Sequence, residues 1–183
     1  MQKRSHTLLA SLLLRGRDGF SARRFELAFL FGSFQPDCNP FSYLKGSFHA
    51  RKFGGHNYTN SCNYIFDHIQ RLQQRRKAWT MWQYYTLGKL THYLADAFTF
   101  PHNETFPDTM LDHHRYETEL RQYFSGYLCD RPLLQLKAGS PLLSALADLH
   151  EEYLASSSSL ERDTSYILTA TRMLMAGCCP IAA

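Results

Sequence analysis

No apolar run in this 183-residue chain approaches the ~20 consecutive residues that span a bilayer, so no transmembrane segment is expected. The two-residue alternation of half-buried strands is weak throughout, and no internal repeat is present. Cysteine is sparse and poorly arranged for structural work. Cys38, Cys62, Cys129, Cys178 and Cys179 are odd in number and form no CxxC pair. That excludes a disulfide framework or a zinc ribbon and suits scattered core thiols in a reducing compartment. A large excess of one charge is also missing. The formal net charge of +4 permits an anionic substrate or a membrane surface without demanding nucleic acid.

What is present is apolar and aromatic surface to bury. Hydrophobic residues make up 44% of the chain, which excludes disorder, and the length suits one domain over residues 1–183. The opening MQKRSHTLLASLLLRG has basic residues and then a short apolar stretch, as a secretory leader does. However, Leu8, Leu9, Leu12 and Leu13 recur at helical spacing. Arg15, Gly16, Arg17 and Asp18 stand where a small-residue cleavage site would lie. The expectation is a structural helix over Ser5–Leu14 in a cytoplasmic protein, with secretion as the alternative.

The remaining periodicity predicts an all-α chain. A second helix follows Ser21 with Phe25, Ala28, Phe29 and Phe31 facing inward, and Gly32 and Pro36 end it. Ser33–Gly55 reads as a long irregular connection, a kind of segment that is usually functional. Further helices cover Tyr58–Arg76, Thr80–Thr99, a span from about Asp108 through Leu111, Tyr116, Leu120 and Phe124, then Pro141–Leu154 and Leu160–Met175. Pro101 blocks continuation of the fourth helix.

Chemistry concentrates on two of these helices. His92 and Asp96 stand four residues apart, which stacks them on one helix face, and His113 and Glu117 repeat the spacing. His102 follows the Pro101 break, where the chain can fold back toward Asp96. One such pair alone is an ordinary His–carboxylate hydrogen bond. Two pairs and a third histidine, on a fourth helix that is apolar nearly all round, call for a compensating cation. Upstream, Asp37 lies in GSFQPD, His49 and His56 lie in FHARKFGGH, and His6 lies on the first helix. His68, His114 and His150 belong to no constellation.

At these residues the sequence resembles a known family. HYLADAFTFPH, residues 92–102, followed by HHRYE, residues 113–117, resembles the zinc-dependent phospholipase C family, which is related to the P1/S1 nucleases and to glycosylphosphatidylinositol phospholipase D. GSFQPD and KGSFHARKFGGHNYT resemble the family's Gly-Ser-x-x-Pro-Asp turn and its downstream histidine. The resemblance runs from about Ser5 to Phe124, with only helices recognisable over 140–177. It implies a helical bundle with metals between the helices. Asp37, His56, His92 and Asp96 would hold one zinc, and His102, His113 and Glu117 a second. Asp96 would bridge to a third, shared with His6. His56 is preferred to His49 because it immediately precedes a helix. In secreted relatives a mature N-terminal amino group completes the third site. This chain starts MQKRSH, which leaves open whether such an amine reaches the metals.

The function implied is metal-dependent phosphodiester hydrolysis, with Asp37 orienting or deprotonating the attacking water and a phospholipid headgroup as first substrate. Transient contact with a membrane surface would follow. Three divalent ions against the carboxylates of Asp37, Asp96 and Glu117 leave a strongly positive site, which attracts a phosphodiester and stabilises its transition state. The alternatives are a P1-like single-strand nuclease or nucleotidase acting on nucleic acid, and a catalytically silent, metal-stabilised binding module.

Overall fold

The structure, a computed structural model, describes residues 1–15, 20–38, 58–103, 106, 109–129 and 141–179. Among these are seven α-helices and no strand, so the chain is all-α: α1 (Lys3–Arg15), α2 (Arg23–Cys38), α3 (Tyr58–Gln73), α4 (Met81–Ala97), α5 (Met110–Cys129), α6 (Leu142–Ala155) and α7 (Leu160–Cys178). Among the described residues between α4 and α5 is a 3-10 turn, Phe100–His102.

The helix that reads as apolar all round is the axis of the molecule. Leu87, Leu90, Leu94 and Phe98 on or just past α4 are buried against Phe29 of α2, Ile65 and Ile69 of α3, Leu120 and Phe124 of α5, and Leu174 of α7. Helices α2 and α4 run in the same direction, since Phe25 stacks on Tyr84, Phe29 abuts Gly88 and Ser33 meets His92. They touch backbone to backbone. A Cβ on Gly32 would lie 2.1 Å from the Tyr85 carbonyl oxygen, and one on Gly88 would lie 2.1 Å from that of Phe29.

That contact explains one difference from the sequence expectation. Gly32 and Pro36 do not end α2; the helix runs through both to Cys38. Gly32 is there to let α4 approach, and Pro36 forfeits a hydrogen bond only in the last turn, where few remain to lose. One inward assignment also fails. Phe31 is half exposed, packing along the surface against Phe34 and Tyr85. Leu111 is 77% exposed because it lies two residues, about 200° of helix, from the inward-facing His113.

The first helix packs as a structural element, burying Leu9, Ala10 and Leu13. Of the thiols, Cys178 and Cys179 are buried, whereas Cys38 is exposed and Cys62 half-buried; none of these four is in a disulfide. No described helix is long and apolar enough to cross a membrane.

Candidate metal centre

On α4, His92 and Asp96 project from consecutive turns into the protein interior, and neither is more than 1% exposed. The Gly32–Gly88 contact brings the Ser33 carbonyl to the other side of the imidazole, where it accepts the His92 Nδ1 proton at 2.9 Å. The ring is thereby fixed with Nε2 toward Asp96 Oδ2 at 3.2 Å and Asp37 Oδ1 at 3.6 Å. His6 of α1 stacks on His92 with ring centroids 3.9 Å apart, and its Nε2 lies 3.2 Å from Asp96 Oδ1.

The break after α4 is built to return the chain. Thr99 donates its hydroxyl to the Ala95 carbonyl, and Asn103 donates its side-chain amide to the carbonyls of Ala97 and Thr99. These bonds hold the Phe100–His102 turn against the helix end, with His102 Nε2 3.9 Å from Asp96 Oδ1. Helix α5 is started by a reciprocal cap, the Thr109 amide and hydroxyl donating to Asp112 and the Asp112 amide to the Thr109 hydroxyl. One turn further, His113 and Glu117 face inward. His102 Nε2 lies 3.1 Å and His113 Nε2 3.4 Å from Glu117 Oε1.

Two buried triads result, His6–His92–Asp96 and His102–His113–Glu117, each with ligand atoms within 4.8 Å of one another. Asp37 joins the first through His92. His49 and His56 lie outside the described residues, as does most of the Ser33–Gly55 connection. His68 and His150 stay out of both clusters. The His68 Nδ1 donates to the Tyr64 carbonyl of its own helix, and the His150 Nε2 to the Ala97 carbonyl. His114 is exposed on α5.

One further group, which the resemblance left open, lies in the centre. The Met1 amino group enters the centre, 2.6 Å from Asp96 Oδ1, 3.0 Å from Glu117 Oε1 and 2.9 Å from His102 Nε2. The Met1 nitrogen thus lies beside members of both triads. Burial works against its charge, but the Asp96 and Glu117 carboxylates outweigh that and hold its pKa up to about 11. Burial likewise opposes ionisation of Asp96 and Glu117, yet the ammonium and the surrounding imidazoles keep both well below the carboxylate range. Burial and the neighbouring His92 push His6 down to about 3, so it is neutral, and burial with the ammonium also lowers His102. Asp37, the most open of the carboxylates, is pushed up to about 6 by burial, against the pull of His92.

Four features of this donor set fit divalent cations. Most His–carboxylate separations, 3.1–3.6 Å, exceed the ~2.7–2.9 Å of charge-assisted hydrogen bonds and match the ~3.3 Å edge of a tetrahedron with zinc-length bonds. Both ring nitrogens of His6 and Oδ2 of Asp37 are buried without a well-formed hydrogen bond. His102 Nε2, in a neutral ring, cannot both accept from the Met1 ammonium and donate to Glu117. With neutral imidazoles and ionised carboxylates, Asp37, Asp96 and Glu117 against one ammonium carry a net charge of about −2; Asp96 and Asp37 raise the pKa of His92, so protons as well as added cations compensate it.

No curated protein and no solved structure gives a significant match to the chain. The family model described as zinc-dependent phospholipase C matches residues 5–169, which extends past Phe124, through α6 and into α7. The chain thus belongs to the zinc-dependent phospholipase C family.

Proposed function

We propose that this chain hydrolyses phosphodiesters in a zinc-dependent manner, with phospholipid headgroup esters as its substrates. Family membership supports a hydrolase acting on phosphoester bonds. The observation that carries the reading is the buried carboxylate of Asp96, whose Oδ2 faces His92 while its Oδ1 faces His6, the Met1 amine and His102. A single side chain links the two triads, as a centre of closely spaced cations requires.

In this reading Asp37, His92 and Asp96, with His56, hold one zinc, and His102, His113 and Glu117 hold a second. His6 and Asp96, with the Met1 amine, would serve a third. Bound zinc would supply Lewis acidity and positive charge toward an anionic ester. The rest falls to the chain itself. Asp37 is 19% exposed where the other described ligand side chains are at most 9%, and its Oδ2 has no hydrogen-bond partner. It would orient a water molecule or accept its proton. The Ser33 carbonyl keeps His92 in one tautomer, and the stacked His6 and His92 rings close the inner side. Contact with a lipid surface would be transient. The free thiols suit the cytoplasm as the compartment, with secretion the alternative.

The test is hydrolysis by the zinc-loaded protein of phosphatidylcholine, glycerophosphodiesters, and single-stranded DNA and RNA, near neutral pH. Lipid turnover is expected, and Asp37→Asn should lower it by ~10²-fold or more while the zinc on His102, His113 and Glu117 is retained. Turnover of nucleic acid alone would move the substrate to the nuclease type. No turnover of any substrate by zinc-loaded protein would leave a silent, metal-stabilised binding module.

A further inference from the structure

Outside the metal centre, Asp163 on α7 is fully buried, and it is completely paired. Its Oδ1 accepts from the Tyr153 hydroxyl at 2.9 Å and from Arg162 Nη2 and Nε at 2.9 and 3.2 Å. Its Oδ2 accepts from the Phe100 backbone amide at 2.8 Å and from the Tyr116 hydroxyl at 2.9 Å. Five donors on one enclosed carboxylate are an expensive way to join helices, since apolar packing does that without desolvating a charge. What such an arrangement adds is direction.

The pieces joined by Oδ2 show what is directed. Phe100 opens the 3-10 turn that delivers His102 two residues later. Tyr116 precedes Glu117 by one residue and follows His113 by three on α5. One oxygen atom therefore clamps both chain segments that carry the triad His102–His113–Glu117. These five bonds of Asp163 reach neither α1, which carries His6, nor α2, which carries Asp37.

We propose that Asp163 is the positioning residue of the His102–His113–Glu117 triad, setting the distance between the turn and α5 so that the three ligand atoms converge on one metal ion. This rests on the reading of that triad as a metal site. Asp163→Asn keeps the size of the side chain but turns one oxygen into a donor. That NH₂ must then face either the Phe100 and Tyr116 donors or the Tyr153 and Arg162 donors. Tyr116→Phe removes one bond on the triad side of the carboxylate. Tyr153→Phe removes a comparable bond on the far side, which leads to α6.

The experiment is a Co²⁺ titration of the chelator-stripped full-length chain, followed by the visible absorption of the bound ion against a competing chelator. His113→Ala identifies the transition that belongs to the triad. Asp163→Asn and Tyr116→Phe should weaken that transition by roughly 10- to 100-fold and alter its spectrum, leaving binding at Asp37, His92 and Asp96 unchanged. Tyr153→Phe should leave both transitions unchanged, although it loses a buried hydrogen bond as Tyr116→Phe does. A merely structural role would make the two tyrosine variants alike. Triad binding equal to wild type in Asp163→Asn, or equal weakening of both sites, would overturn the assignment. If circular dichroism shows Asp163→Asn unfolded, the comparison of Tyr116→Phe with Tyr153→Phe decides by the same criterion. A wild-type chain that binds no Co²⁺ would sink the metal reading itself and this inference with it. Normal wild-type binding with unaffected variants would sink only the role of Asp163.

Discussion

His92 donates its Nδ1 proton to the main-chain carbonyl of Ser33 across 2.9 Å, and this bond exists because α2 and α4 meet backbone to backbone at Gly32 and Gly88. A histidine that must present Nε2 to a metal needs its other nitrogen held in this way. Here the holder is not a side chain but a helix carbonyl, aimed by two residues that have no side chain.

Gly88→Ala tests that link. The added Cβ would lie 2.1 Å from the Phe29 carbonyl oxygen and 2.9 Å from the Ser33 amide nitrogen, so the helices must separate. The expected cost is ~1–3 kcal/mol or more by denaturant unfolding. Zinc affinity should fall with it, because the Ser33 carbonyl withdraws from His92. Lost stability with zinc binding intact would show that the close approach serves packing alone.

Metal removal should destabilise the chain. Without cations, Asp37, Asp96 and Glu117 crowd together against the Met1 ammonium, with His6 and His102 shifted toward the neutral form and His92 toward the protonated one. A chelator should lower the melting temperature, and zinc added back in excess should restore it as binding to the folded state requires. A melt indifferent to both additions would argue that the clusters are ordinary hydrogen-bonded polar groups.

Acid should destabilise the metal-free chain through the buried, neutral ring of His150. Burial lowers the pKa of His150 from 6.5 to about 4, against the hydrogen bond to the Ala97 carbonyl. Between these values the unfolded chain binds the proton and the folded chain does not. The contribution is therefore present above pH 6.5 and is lost as pH falls toward about 4. His6, lowered to about 3, acts in the same sense. His150→Gln should flatten the pH dependence of unfolding free energy across this window, and an unchanged slope would exclude His150 as a contributor.

The parts of the centre legible in the sequence are those that local periodicity fixes. His92 with Asp96, and His113 with Glu117, share a face because an α-helix repeats every 3.6 residues, and Pro101 marks where the chain turns back to bring His102 in. What stayed hidden depends on long-range contact. Gly32 looks like a helix stop until α4 is seen against it, and Gly88 is an unremarkable break in an apolar run until α2 is. Asp163 is an isolated acid in an amphipathic helix, and only the fold brings it to Phe100 and Tyr116. The Met1 nitrogen carries no side-chain signal at all, since its position depends on how the start of α1 packs against Asp96 and Glu117.

Anomalous diffraction at the zinc absorption edge, from crystals of the full chain grown with zinc, tests the metal centre most directly. The expected map has a peak bounded by His92 and Asp96, with Asp37, and a second bounded by His102, His113 and Glu117, each ~2.0–2.2 Å from its ligand atoms. A map with no zinc peak at either triad, the His and carboxylate side chains instead closing into direct hydrogen bonds, would contradict the account.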